Sequence, residues 1–403
     1  MNQYHAFFLI HVHQFKFETR FSYELKPGHI VRPYRPGDEV EIVDLLQLVF
    51  DGWPKFDLRC SPLDHWKWKY LDNPSHKSVI CVASSDEEII GVNHQLPVQI
   101  KVGDEVILSH YGADLAIHPD FRRMGVSNEL IEASDSSGKR AGGQFVYCVT
   151  SNPILMKSYS KKYRSFPSHI LNLVRIKDID TQLKAMPVEK ASWMKFGFQA
   201  VKLINNIKNW INGYKSVDSD VRIQRIEGFD SRIDLFWEKV SDHLDFIVER
   251  SRNYLNWRYC NHCAGDYVIK CAEDEAGSIL GYSVLMVNRY SKDYPVGYIV
   301  DLLTLPERLD VAHLLIANAA RFFDEQKVNI VLSMVVKNHT YERIFNRFGF
   351  LDSRINFNLF YYLLGGSDKI KKLKTTSASR ILFSWGNLDV LPSGGVELAY
   401  AWR

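Results

Sequence analysis

Apolar and polar residues alternate with a period of two across residues 78–84 and 88–96, which predicts two strands joined by a turn at Ser85-Asp86. An apolar run from Val106 to Leu115, Ala116 and Ile117 predicts a central strand, and His118-Pro119-Asp120 ends it. The period then changes to that of a helix, with Val126, Leu130, Ala133 and Ser134 on one face. Upstream, residues 30–34 read as a strand. An amphipathic helix follows Pro36-Gly37-Asp38, with Val40, Val43, Leu46, Leu48, Val49 and Phe50 expected inward. A short helix over 63–72 ends at Asn73-Pro74. Residues 144–150 read as a strand, 152–163 as a helix and 169–176 as the strand that closes the unit.

The pattern then recurs. Trp257-Arg258-Tyr259 echoes Trp68-Lys69-Tyr70 at an offset of 189 residues. Asp301 and Pro306 echo Asp114 and Pro119 at 187, and Asn338 and Phe345 echo Asn152 and Tyr159 at 186. Offsets that hold this closely across a whole unit predict two copies of one fold.

The junction between the central strand and its helix has chemical character. A helix whose first turn holds Arg122, Arg123 and Gly125 presents free backbone N–H groups and the positive end of its dipole. Gly125 lets a ligand approach the backbone, and the arginines can bond phosphate oxygens. The second copy reads TLPERLDVAH where the first reads HPDFRRMGVS. It has no glycine there, and Glu307 and Asp310 flank Arg308, so it is expected to fold without binding an anion.

Leu115, Ile117, Pro119, Arg122 and Gly125 stand in register with the coenzyme A loop of the GNAT acyltransferase superfamily, which this stretch resembles; Ser127 departs at the last position, where the superfamily has Gly or Ala. Arg32-Pro33-x-x-Pro36-x-Asp38 resembles the superfamily's opening strand and first helix, and Phe345-Asn346-Arg347-Phe348-Gly349-Phe350 its late Tyr-x-x-Leu-Gly-Phe pattern. The resemblance implies an α/β chain (α+β type) of two tandem GNAT-like lobes, each a twisted mixed central sheet flanked by helices. The expected boundaries are an arm over 1–27, a catalytic lobe over 28–177 and a linker over 178–219. A degenerate lobe over 220–365 and a C-terminal polar segment with strands over 366–403 follow.

It implies an acyl-coenzyme A-dependent N-acyltransferase, foremost an N-acetyltransferase. Leu115, Ala116, Ile117, Arg122, Arg123, Met124, Gly125, Val126, Ser127 and Asn152 would hold acetyl-coenzyme A or another acyl-coenzyme A. Tyr159, or alternatively Tyr163, would be the acid for the leaving thiolate. The base would be His110 or Asp114, which an unbroken strand puts on one face. The acceptor would be a primary amine. Trp66, Trp68 and Tyr70 are expected either beside it, stacking on a sugar or acyl group, or in the core. The Trp-Lys-Tyr segment with Asn73-Pro74 is also similar to GNAT-like enzymes among cell-surface polysaccharide proteins, which raises an amino sugar as acceptor. Two rivals stand beside this reading. One is a Fem-type aminoacyl transferase, also of two GNAT-like lobes, and the other a non-catalytic binding protein that keeps the fold.

Composition changes this picture little. The chain of 403 residues carries a net charge of +3, which gives no electrostatic case for nucleic acid. The six cysteines have no disulfide-framework spacing, which fits a cytoplasmic protein; Cys260-Asn261-His262-Cys263 lacks a second pair for zinc, so no metal is expected. Residues 190–214 form a basic amphipathic helix that either bridges the lobes or lies peripherally on a membrane.

Overall fold

The structure is a computed structural model describing residues 28–75, 77–151, 153–178, 180–182, 220–290, 294–365 and 368–388. The expected arm over 1–27, the amphipathic linker helix over 190–214 and the end of the C-terminal segment, 389–403, lie outside the described residues.

The first lobe begins with β1 (Ile30–Pro33), α1 (Glu39–Phe50) and α2 (Pro62–Tyr70). Arg32 and Asp38 pair through two contacts, at 2.7 and 2.9 Å, and so fasten β1 to the start of α1. In α1 the buried stripe is Ile42, Val43, Leu45, Leu46 and Val49. Val40 and Leu48, expected inward, are exposed, because a 3.6-residue repeat carries them to the far side of that stripe. Ser61 caps α2 by accepting the Asp64 N–H.

Three antiparallel strands follow: β2 (Val79–Ser85), β3 (Glu88–Val102) and β4 (Glu105–Ile117). Then come α3 (Val126–Arg140), β5 (Phe145–Thr150), α4 (Pro153–Tyr159), β6 (Arg164–Ser165) and β7 (Ile170–Ile176). The second lobe repeats the plan with β8 (Arg222–Ile226), α5 (Arg232–Ser241), β9 (Phe246–Val248) and α6 (Arg252–Cys260). It continues with β10 (Tyr267–Glu273), β11 (Ile279–Asn288), β12 (Val296–Thr304), α7 (Leu309–Glu325), β13 (Ile330–Val336), α8 (Thr340–Arg347) and β14 (Leu351–Leu363).

Among the described residues the strands form one sheet ordered β1-β2-β3-β4-β5-β14-β7-β13-β12-β11-β10-β8. The lobes exchange their last strands. The strand expected to close the first lobe, β7, pairs along its length with β13, and the second half of β14 pairs with β5. The first half of β14 meets β7, so the exchanged strands join the lobes at the centre of the sheet.

Within the C-terminal segment expected to hold strands, the chain makes a single bridge at Ile381 and a 3-10 turn over Trp385–Asn387. Trp385 is driven into the second lobe's core, 5.4 Å from Phe357 and 6.0 Å from Tyr298 between ring centroids, and the chain has to curl to place it.

Candidate active site

The central strand of the first lobe contains a break. Val92 of β3 faces Ala116 and His94 faces Ala113, so Asn93 stands opposite both Asp114 and Leu115. This is a β-bulge, and Asp114 takes a positive φ of 35° within it. Beyond the bulge β4 turns away from β5. The two strands pair only at His110–Val146 and Tyr111–Tyr147, which leaves the rest of their C-terminal halves splayed. Gly112 lines the gap, and a Cβ there would lie 3.7 Å from that of Cys148. The second lobe is built alike, with a register shift beside Asp301 and only four β12–β13 pairs.

At the mouth of the gap, Arg122 and Arg123 are exposed, and Gly125 caps α3 at φ 90° with no side chain capping the helix. The first N–H groups of α3, among them those of Val126 and Ser127, have no intrahelical partner. A Cβ on Gly125 would come no closer than 3.9 Å to Glu129, so open space lies over this turn. Glu129 itself is drawn aside by His29, at 3.1 Å. Leu115, Ala116 and Ile117 form the strand leading to the turn, and Met124 packs against the small apolar cluster holding Val126 and Leu130. Asn152 lies outside the described residues.

The corresponding turn of the second lobe is closed from within. Arg308 binds Asp310 through both carboxylate oxygens, the shortest contact being 2.7 Å. The arginine and the helix start thus already hold an anion, supplied by the chain itself.

The expectation that His110 and Asp114 share a face does not hold, because Asp114 is itself a bulge residue with positive φ, where the alternation breaks. His110 is fully buried beneath α3, where a Cβ on Gly143 would strike its ring at 2.4 Å. Asp114 turns to the opposite face, toward α2. There it accepts from Lys69 Nζ at 2.6 Å and Tyr70 Oη at 2.5 Å. Burial alone would push its pKa up, but the Lys69 ammonium, His94 and these hydrogen bonds hold it below the usual carboxylate range. A carboxylate so committed is a poor proton acceptor. Its carbonyl accepts from His94 Nδ1 at 3.0 Å, while His94 Nε2 accepts the Trp66 indole N–H at 3.1 Å, so the bulge is braced from both backbone and side chain.

Tyr159 closes α4 against β5. Burial, first, and the neighbouring Cys148 and Asp135 raise its pKa, so its phenol stays protonated at neutral pH; it shares a hydrogen bond with the Cys148 thiol. The Tyr163 ring packs against it at a tilt, with centroids 5.1 Å apart, and its pKa is raised by burial first and by the same two neighbours. Asp135 of α3 completes this side, held by Gln95 and Lys162, each at 2.9 Å. Lys69, His94, Gln95, Cys148 and Asp135 were not among the residues read from the sequence. The recurrence of Tyr70 and Asp114 as Tyr259 and Asp301, which also bond each other, at 3.4 Å, was the available signal for the Asp114 cluster.

Trp66, Trp68 and Tyr70 are all buried. Trp66 and Tyr70 belong to the core, and Trp68 meets the second lobe.

Residues 30–162 match the family model described as an acetyltransferase (GNAT) domain. The first lobe is thus similar in sequence to a GNAT domain. Over most of its length the chain also shares its fold with solved structures of low sequence identity. A yeast (Saccharomyces cerevisiae) N-myristoyltransferase with bound myristoyl-CoA superposes at a TM-score of 0.57, with 9% identity, over 89% of this chain and 86% of its own. A probable N-acyltransferase from Enterococcus faecalis V583 gives 0.56, with 11% identity, over 84% and 72%. A tandem GNAT protein from the clavulanic acid biosynthesis pathway gives 0.52, with 14% identity, over 85% of this chain and all 100% of that one. No curated protein matches the sequence. Within the first lobe, β4 runs from its splayed contact with β5 to the open α3 turn. No helix among the described residues is long and apolar enough to cross a membrane.

Proposed function

We propose that the first lobe, residues 28–177, is an acyl-coenzyme A-dependent N-acyltransferase site and that the second lobe, residues 220–365, supports it without binding coenzyme. The observation that carries this is the asymmetry between two turns of equal construction. One ends in an open glycine with two exposed arginines, and the other is sealed by Arg308 and Asp310.

The residues present fit the group. The α3 N–H groups, with Arg122 and Arg123, suit a diphosphate. The unpaired edge of β4 beyond Tyr111 and the bare Gly112 leave room for a slender arm with amide groups. When bound, an acyl-coenzyme A supplies a thioester open to attack by an amine. The chain's own part is to orient it, to offer β4 backbone donors where negative charge grows, and to deliver a proton from Tyr159 Oη to the departing sulfur. His110 and Asp114 are both occupied elsewhere in the fold, which favours solvent or the acceptor's own neighbours as the route for the ammonium proton.

An acetyl donor is the favoured form, the acceptor a primary amine such as that of an amino sugar, and the setting cytoplasmic, as the scattered cysteines favour.

Calorimetric titration of acetyl-coenzyme A into the whole protein tests the reading. About one site per chain is expected, abolished by Gly125→Glu and weakened by Arg122→Ala, whose lost charged hydrogen bond is worth about 1.5–3 kcal/mol. Two sites per chain would overturn the assignment of the second lobe. No binding would sink the coenzyme reading and return attention to an aminoacyl-tRNA donor. A panel of amines with thiol detection then identifies the acceptor.

A further inference from the structure

The gap between β4 and β5 has a floor. Pairing stops at Tyr111–Tyr147, and the two side chains lie against each other with ring centroids 5.1 Å apart. Both are buried, at 8% and 0% exposure. Tyr147 is anchored further, its hydroxyl donating to the Asn387 carbonyl at 3.3 Å. Leu96 faces Tyr111 across the β3–β4 ladder. Behind Tyr111, toward the second lobe, Trp68, Val98, Trp257 and Leu388 leave a cavity of only about 20 Å³, room for one water.

The strand geometry sets the direction of any acyl group. From Ile117 at the mouth to Tyr111 at the apex, the rise of a strand gives roughly 20 Å. An arm whose diphosphate sits at the α3 turn therefore brings its thioester toward the apex, and whatever continues beyond the carbonyl meets the tyrosine rings.

We propose that Tyr111 and Tyr147 are the residues that set acyl-chain length, and that they restrict this site to short acyl groups such as acetyl. This rests on the coenzyme reading of the first lobe. A longer chain has no tunnel to enter: to seat its thioester at the apex it must displace two packed rings, and that lost packing weakens its binding. The yeast relative of the same fold, solved with myristoyl-CoA, shows that the architecture itself does not forbid a long chain. The limit lies in the side chains at the apex.

The test is calorimetry with acetyl-coenzyme A and decanoyl-coenzyme A on the wild type, Tyr111→Ala and the milder Tyr111→Leu, with circular dichroism melts to establish which variants fold. The wild type should bind the acetyl form at least about tenfold more tightly than the decanoyl form. In a folded Tyr111 variant that ratio should fall about tenfold or more, mainly through tighter decanoyl binding. Equal affinities in the wild type, or an unchanged ratio in a folded variant, would overturn the proposal while leaving the coenzyme site intact. Failure of the wild type to bind either thioester would overturn the site reading and the floor together.

Discussion

Trp68 and Trp257 hold each other by matching bonds. The Trp68 indole N–H donates to the Trp257 carbonyl at 3.0 Å, and the Trp257 indole N–H donates to the Trp68 carbonyl at 3.1 Å. Their rings stack with centroids 5.1 Å apart and planes 24° from parallel. The residues are 189 positions apart, the repeat offset itself, so each is the other's counterpart. The lobes thus meet through a self-complementary contact of the kind that symmetric dimers use, here within one chain.

Replacing either tryptophan with Phe should cost about 1–3 kcal/mol, since each change removes one donor and leaves the opposite carbonyl short of its partner. The double variant should cost less than the sum of the two. Urea unfolding of the four members of the cycle measures this coupling, expected at about 0.5–3 kcal/mol. Strict additivity would mean that the reciprocal bonds do not act together.

Lys69→Met should destabilise by about 3–5 kcal/mol, because it strands the Asp114 carboxylate in the core. Adding Asp114→Asn should restore part of the loss. The acid response should change sign. In the wild type the lowered Asp114 pKa contributes stability above the ordinary carboxylate range that is lost as pH falls through the folded value. In Lys69→Met, burial raises that pKa, so acidification should relieve the strain. Denaturant midpoints between about pH 2 and 7 report both effects.

Three of the buried histidines, His65, His94 and His339, are held as neutral rings. Burial, first, lowers His65 to about 3 and His94 and His339 each to about 4, from an ordinary 6.5. The unfolded chain therefore takes up protons that the folded one refuses. Stability should be full above about pH 6.5 and fall on acidification toward 4, by about 1.4 kcal/mol per pH unit for each ring. His339 caps α8 by accepting the Tyr341 N–H at 3.0 Å, a role that Asn also performs. His339→Asn should keep the fold and remove one ring's share, about 1.4 kcal/mol per pH unit, of the slope in urea titrations across this range. An unaltered slope would mean that His339 is not part of the acid response.

Tyr159→Phe retains the ring that packs against Phe360, 6.0 Å away, but has no proton to give. Coenzyme affinity should stay near that of the wild type, while turnover with the identified amine should fall about 10²–10⁴-fold, the usual worth of a placed acid. Full activity would move the role to Tyr163 or to solvent.

The features legible in the chain were those that repeat within a few residues or at a constant distance. Strand and helix periods gave the element order, Gly125 and its arginines marked the open turn, and the constant offset exposed the second lobe and its sealed counterpart. Two features came only with the tertiary structure. The partners of β7 and β14 are chosen by competition among edges far apart in sequence, and a period of two is the same whichever neighbour a strand takes. The bulge at Asp114 is equally silent in the pattern, because a positive φ at one non-glycine residue leaves the apolar alternation on either side intact. Yet that extra residue sends Asp114 to Lys69, on the face opposite His110. The site's residues were therefore readable as types, while the face each one occupies was decided by how the strands pair.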